Sequence, residues 1–278
     1  MINALTVDLE DWYHVCGNKK YILPSKWKEY ESRVTRNTEK ILSILRACNV
    51  KATFFALGYI AEKEPDLIKA ISKEGHEIAT HGHFHLRIFE LTPDEFEEDL
   101  RKSKETIEKI IDEPVLGYRA PEWSIRSETF WALSIMKKVG IAYDSSMVPL
   151  YRMGERGFPI FPEKMATPYG DIVEFPLTTA RCLWERLPFS GGLPLRIAPY
   201  CFTLNNIVSI NKMEQPGMVY IHPWEFDNEH PEIDLPFKRK FMHYFRIKST
   251  QPKLEGLLKH LKFAPMREVL KRLSLIIY

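Results

Sequence analysis

The sequence predicts an α/β fold, a parallel sheet or barrel in one domain, on three observations. Apolar, β-branched runs alternate with amphipathic helical stretches over short connections. The runs are apolar throughout instead of alternating, as in strands covered on both faces. Polar residues gather where the runs stop, at Asp8, His81, Arg119 and Asp144, and the ends of parallel strands form the active face of such folds.

Ala4-Leu5-Thr6-Val7-Asp8-Leu9-Glu10 reads as the first strand, ending in Asp8, Glu10 and Asp11. Side chains alternate along a strand, so Asp8 and Glu10 share one side and Asp11 takes the other. Carboxylates buried together repel, so such a cluster is either solvated or holds a cation. From Asn37, Ile41, Leu42, Ile44, Leu45 and Cys48 mark the apolar face of a helix. Lys51 to Gly58 is the second strand, and Pro65 to Gly75 a short helix stopped by glycine. Glu77 to Thr80 leads to His81-Gly82-His83-Phe84-His85, where Gly82 ends the strand. A helix beginning there would put His81 and His85 on one face, two imidazoles suited to Zn²⁺, Co²⁺ or Fe²⁺.

Thr92-Pro93-Asp94-Glu95 is a capping box with proline at the first helical position, ahead of a buried face of Phe96, Leu100, Ile107 and Ile111. Pro114 to Pro121 returns as a strand through Arg119, Ser127 caps a helix to Gly140, and Tyr143-Asp144-Ser145-Ser146 ends another strand. Beyond Met147 the chain is rich in proline, glycine and aromatics, and it predicts an ordered excursion over about 147–195 containing a strand at Ile172-Val173-Glu174-Phe175. Within it, Gly191-Gly192 precedes Arg196, a turn that either approaches a ligand or rounds a corner. A helix through Phe202 and Ile210 leads to Met218-Val219-Tyr220-Ile221-His222-Pro223-Trp224-Glu225, a strand delivering a histidine, an aromatic and an acid. A helical closure over about 238–278, read as a pair of helices from Phe241 onward, completes a single domain spanning 1–278.

The 278 residues carry a net charge of +2, too weak a field for a nucleic-acid partner. Cys16, Cys48, Cys182 and Cys201 are scattered without a C-x-x-C pair, which suggests reduced, mostly core cysteines. No signal peptide or membrane span is legible, so a cytoplasmic location is expected. The basic, amphipathic stretch Met266–Leu273 either packs as a last helix or rests peripherally on an anionic membrane. Oligomeric state is not encoded in any visible pattern.

Gathered on one face, these residues suit metal-assisted hydrolysis of an amide or ester. Two histidines and one carboxylate leave coordination positions open, which is the catalytic arrangement. A bound ion lowers the pKa of its water and polarises a carbonyl oxygen. A second carboxylate can take the water's proton and His222 can protonate a leaving amine. Arg119 can hold the base through its fork of donors, and Asp144 can orient or charge His222. Trp123 and Trp224, read as exposed, suit the apolar face of a sugar ring, with Arg196 as a further substrate contact.

The ordered set Thr6-Val7-Asp8-Leu9-Glu10-Asp11, His81-Gly82-His83-Phe84-His85, Tyr118-Arg119-Ala120-Pro121, Tyr143-Asp144-Ser145-Ser146 and Tyr220-Ile221-His222-Pro223 resembles the NodB-type polysaccharide deacetylases, carbohydrate esterase family 4. The opening and closing regions resemble the branch found with exopolysaccharide and exosortase gene clusters. The resemblance implies a distorted (β/α) barrel of about seven strands that removes N-acetyl groups from the hexosamines of an oligo- or polysaccharide, including a lipid-linked one. It implies Asp8 as base, His222 as general acid, Arg119 as the arginine positioning the base and Asp144 as the aspartate linked to His222. His81 and His85 are the implied metal ligands, with zinc as the first choice over Co, Fe or Ni. The family's usual adjacent aspartate pair is here Asp8-Leu9-Glu10, which makes Glu10 the expected third ligand, with Asp11 or Asp8 as alternatives. His83 is expected to matter through its backbone, and His14 to line the rim. Two other functions compete: hydrolysis of a small cyclic or linear amide on the same scaffold, and non-catalytic glycan binding.

Overall fold

The computed structural model describes residues 1–14, 21–151, 153–182, 184–229 and 231–277; Cys16 lies outside them. The sheet is built around β1 (Asn3–Leu9), which pairs in parallel with β2 (Thr53–Ala56) and continues through β3 (Glu77–Thr80), β4 (Gly117–Tyr118) and β5 (Tyr143–Asp144). β6 (Glu163–Met165) is antiparallel at the far edge, next to β7 (Ile172–Glu174), which pairs with β5. A separate hairpin follows, β8 (Thr179–Cys182) with β9 (Glu185–Pro188). β10 (Met218–Ile221) returns to the other side of β1, and β11 (Phe263–Ala264) adds a short parallel pair there. The order β10-β1-β2-β3-β4-β5-β7 makes seven parallel strands, curled as a half-barrel that no ladder closes among the described residues.

Alternation along β1 decides what faces where. Leu5, Val7 and Leu9 point outward into a core shared with Ile41 and Leu45 of α1 (Val34–Ala47), and with Ile68 and Ile71. Ala4, Thr6 and Asp8 point inward, and Asp8 lies in register with Phe55 of β2, another inward residue. Leu9 is wholly buried between two acids on the opposite side, so truncating it to alanine would cost about 2–5 kcal/mol.

The remaining helices are α2 (Gly58–Lys63), α3 (Pro65–Lys73), α4 (Pro93–Ile111), α5 (Trp131–Lys138), α6 (Gly192–Ile197), α7 (Tyr200–Lys212), α8 (Phe237–Tyr244), α9 (Thr250–His260) and α10 (Met266–Arg272). The Thr92 capping box is present at the start of α4, with Glu95 N donating to the Thr92 hydroxyl and Thr92 N donating to the Glu95 carboxylate.

Four expectations change. The fourth strand shrinks to two residues, because Ala120 N donates to the Ser146 hydroxyl and Pro121 has no N–H to offer. Ser127 does not cap α5: its hydroxyl bonds Glu155, and residues 127–129 form a 3₁₀ turn with α5 starting at Trp131. The closing pair of helices is three, α8 to α10, and α10 buries Met266, Val269 and Leu270 against the sheet. Cys182 and Cys201 are exposed, not core residues.

Candidate active site and metal centre

The inward side of β1 ends in Asp8 and then Glu10, one residue past the strand, and both are buried. Asp11 turns away as alternation requires. Its carboxylate accepts from Trp12 N, Arg33 N and Val34 N and so caps the start of α1. That removes Asp11 from the candidate ligands. His14 is also removed from the rim, since its ring is buried against Tyr13, Trp27 and Tyr59 and its Nδ1 accepts from Asp11 N.

His81 and His85 do converge, but not on a helix. His81 N donates to Ala56 O, extending the ladder by one residue, and the chain then turns through left-handed backbone at Gly82 (φ +76°) and His85 (φ +54°). A Cβ at residue 82 would meet Asp99 at 2.9 Å, so this turn requires glycine. Asp99, on α4, clamps the turn by accepting from His83 N at 2.7 Å and Phe84 N at 3.1 Å. His83 thus contributes through its backbone, as Tyr59 N also donates to its carbonyl.

The result is a three-residue cluster. His81 Nε2 lies 3.1 Å and His85 Nε2 3.0 Å from the same Glu10 oxygen, and the three ligand atoms fall within 4.8 Å of one another. His81 Nδ1 donates to Arg119 O at 2.8 Å, which leaves the Nε2 lone pair of the neutral ring aimed at a carboxylate. Two acceptors facing each other repel unless a cation or proton lies between them, so this donor set fits a divalent metal. Burial works to raise the Glu10 pKa, but with no ion between them a proton on His85 or His81, shared toward the carboxylate, holds Glu10 well below the usual carboxylate range.

Beside this cluster, Arg119 Nη1 donates to Asp8 Oδ1 at 2.5 Å and to Thr6 Oγ1 at 2.9 Å. Nε and Nη2 donate to Ser145 O and Oγ, and the guanidinium lies 4.1 Å from the Phe55 ring centre and 4.7 Å from that of Trp123. A buried charge pair costs several kcal/mol to desolvate unless every remaining donor is met, and these contacts meet them.

His222 faces Asp8 from β10, with Nε2 3.9 Å from Asp8 Oδ2. Asp144 is not its partner. Glu225 Oε2 accepts both the His222 backbone N–H and Nδ1–H at 3.1 Å, while Glu225 Oε1 sits 3.1 Å from Arg196 Nε. Burial lowers the His222 pKa, but the bond and charge of Glu225, then the charges of Glu10 and Asp8, outweigh it, and His222 is pushed up to about 8. Asp144 instead bonds Ser146 and shares its surroundings with Glu174, whose carboxylate accepts Ser146 N and Met147 N. Burial pushes Asp144 up to about 6 and Glu174 well above its ordinary value, so the pair retains a proton. The sequence does offer a signal for Glu225, an acid three residues after His222 at a strand end.

Asp8, Glu10, His81, His85 and His222 form the floor of a cavity of about 740 Å³. Trp123 and Trp224 line it but are buried, not exposed. Trp224 is stacked between His222 and His243, and Trp123 meets Tyr220 edge-on. Arg196 is a structural residue. It is buried, and it donates to the carbonyls of Met242, His243 and Phe245, tying α8 to Glu225. The Gly191-Gly192 turn packs under the Tyr220 ring and rounds a corner.

Residues 27–143 match the family described as polysaccharide deacetylase, and residues 145–271 match a domain of unknown function, DUF3473. The chain is 36% identical over 93 residues to the peptidoglycan-N-acetylglucosamine deacetylase of Bacillus cereus, covering 34% of this chain and 43% of that protein. It is 32% identical over 103 residues to the peptidoglycan-N-acetylmuramic acid deacetylase PdaA of Bacillus subtilis, covering 37% of this chain and 38% of that protein. The chain therefore spans less than half the length of these relatives. Among solved structures, a Mycobacterium smegmatis protein assigned to the polysaccharide deacetylases superposes with a TM-score of 0.66 at 20% identity, covering 98% of this chain and 90% of that one. The allantoinase Puue superposes at 0.61 with 15% identity, covering 97% and 89%. At these identities the likeness shows the fold. Taken with the ordered motifs and their convergence on one floor, the matches show a polysaccharide deacetylase (NodB-type) domain match over residues 27–143, continued by a region that matches a family of unknown function.

Proposed function

We propose that this protein is a metal-dependent hydrolase that removes the acetyl group from N-acetylhexosamines of an oligo- or polysaccharide. One observation carries the reading: Glu10, His81 and His85 converge between an arginine-held carboxylate, Asp8, and a carboxylate-held imidazole, His222. Glu10, His81 and His85 would hold the ion, with zinc the first candidate. When bound, it supplies Lewis acidity toward the acetamide carbonyl and a water of lowered pKa.

The chain's own groups do the proton work. Asp8 is held by Arg119 in position to take a proton from water, and Arg119 keeps that carboxylate from swinging toward Glu10. His222 carries its Nδ1 proton toward Glu225, so Nε2 faces the cavity and Asp8. Held protonated near neutral pH, His222 gives the Nε2 proton to the departing amine. The relatives' activity on N-acetylated glycans supports the substrate class. A cavity of about 740 Å³ walled by indole rings favours a sugar ring over a small cyclic amide. The catalytic groups also argue against a purely binding role.

We read the 145–271 match as support for the exopolysaccharide-locus branch, with a cytoplasmic enzyme acting on a glycan that can be lipid-linked. No described helix is long and apolar enough to cross a membrane. The test is acetate release from chitin oligomers and other N-acetylated glycans with added Zn²⁺ or Co²⁺. Release that requires metal and is lost in His81→Ala supports the reading. No release from any such glycan, together with unchanged metal binding by His81→Ala, refutes it.

A further inference from the structure

The walls of the cavity differ in charge from its floor. Arg87 and Arg126 approach from the segment after β3 and from the turn before α5, while Lys238 and Arg239 approach from α8. Arg87 is matched, since its Nε lies 2.6 Å from Glu122 and its Nη1 3.2 Å from Glu90. Arg126 is not. Its Nη1 donates to the carbonyls of Trp123 and Ile125, and its guanidinium lies 5.4 Å from the Phe89 ring centre. Nε and Nη2 make no hydrogen bond, and no carboxylate lies within 4 Å, among the described residues. Three acids act on it from beyond that distance: Glu128 two residues along, Glu155, which is engaged by Ser127, and Glu122, which is paired with Arg87. Lys238, on α8, has no hydrogen bond or ion pair among the described residues.

Two such cations offer a neutral acetamido sugar hydrogen bonds but no charge to pair with, and they repel the amine left after deacetylation. A planar guanidinium fixed through one nitrogen, with its other N–H groups unspent, matches a carboxylate or phosphate. We propose that the cavity selects an anionic glycan, one with a carboxylate or phosphate beside the acetamido sugar, which Arg126 and Lys238 grip from the two elements that carry them. This rests on the glycan reading above and adds its charge. A uronate in the chain and a phosphate at the reducing end offer the same chemistry.

Binding is measured by calorimetry in the full-length, metal-loaded chain carrying Asp8→Asn, so that turnover does not interfere. The probes are chitotetraose as neutral reference, a hyaluronan tetrasaccharide for the carboxylate and UDP-N-acetylglucosamine for the phosphate. At least one anionic probe should bind about tenfold more tightly than chitotetraose at low salt, with the margin shrinking at high salt. Arg126→Gln and Lys238→Ala should each reduce that margin and leave chitotetraose binding unchanged. Arg126→Lys, which keeps the charge and loses the fork, should fall between. Equal affinity for neutral and anionic probes, no binding of either anion, or a margin that survives the double variant would overturn the proposal. Because binding is read, absence of acetate release from every glycan would count against the hydrolase reading and leave this result standing.

Discussion

Replacing Glu225 with glutamine removes one charge from behind His222 while keeping the shape of the side chain. In the native protein His222 is pushed from 6.5 up to about 8, with Glu225 the largest of the groups raising it against burial. That difference is roughly 2 kcal/mol in favour of the imidazolium. At pH 7.5 about three quarters of the rings carry the proton; without Glu225, the largest of the raising groups, the pKa falls back toward the ordinary 6.5, at which about a tenth do. The glutamine can still accept Nδ1–H, so orientation survives while proton affinity falls. Acetate release measured across pH should show kcat down by up to about tenfold at pH 7.5, the alkaline limb moved to lower pH, and KM little changed. Arg196 loses its counter-charge but keeps three carbonyl partners, so a modest drop in Tm accompanies this. An alkaline limb in the variant that coincides with the native one would refute the argument, because His222 would then owe its proton to something other than Glu225.

Glu10→Gln or His85→Ala should lower the metal content of purified protein, read by elemental analysis, whereas Asp8→Asn should retain metal and lose at least about 100-fold in kcat. Asp99→Ala frees the turn from Gly82 to Phe84, and metal affinity should weaken by about tenfold or more in a competition titration with a chelator, with Glu10, His81 and His85 all intact. Asp144 has a folded-state pKa raised by burial from 3.8 to about 6, so the folded protein holds a proton that the unfolded chain releases. Its contribution is complete below about 3.8 and is lost as pH rises through about 6, up to roughly 3 kcal/mol. Urea titrations of Asp144→Asn should show a shallower decline of stability across that window than the native protein. His76 behaves oppositely: burial, with Lys51, lowers it from 6.5 to about 4, so stability is lost as pH falls through that range, and His76→Gln should flatten the acid side.

The strands and their order of polar endings were legible because β1, β2, β3 and β10 are short apolar runs, and inward alternation then follows from residue parity. The convergence of His81 with His85 is legible from spacing, although a left-handed loop and not a helix produces it. The loop depends on Gly82 and on Asp99, an acid 17 residues downstream of it on α4. No local pattern reports such a partner. Asp144 illustrates a related limit. It lies at a strand end like the true site residues, but the neighbouring strand β7 supplies Glu174, and the two acids satisfy each other away from His222. Arg196 and the two tryptophans were expected at the substrate for their chemistry, and their burial is set by α8 and by Tyr220, which only tertiary packing brings near.

Arg119 serves the site twice over, through its side chain on Asp8 and its main-chain carbonyl on His81. Both duties issue from one residue at the tip of a two-residue strand. Asp8 stands on β1 and His81 just past β3, so one residue ties together two groups that the sheet holds on different strands. Substitutions at position 119 replace only half of this coupling: a shorter side chain unhitches Asp8 and leaves the carbonyl steering the ring. An engineer wishing to retune one function without the other therefore has a handle in the side chain and none in the amide.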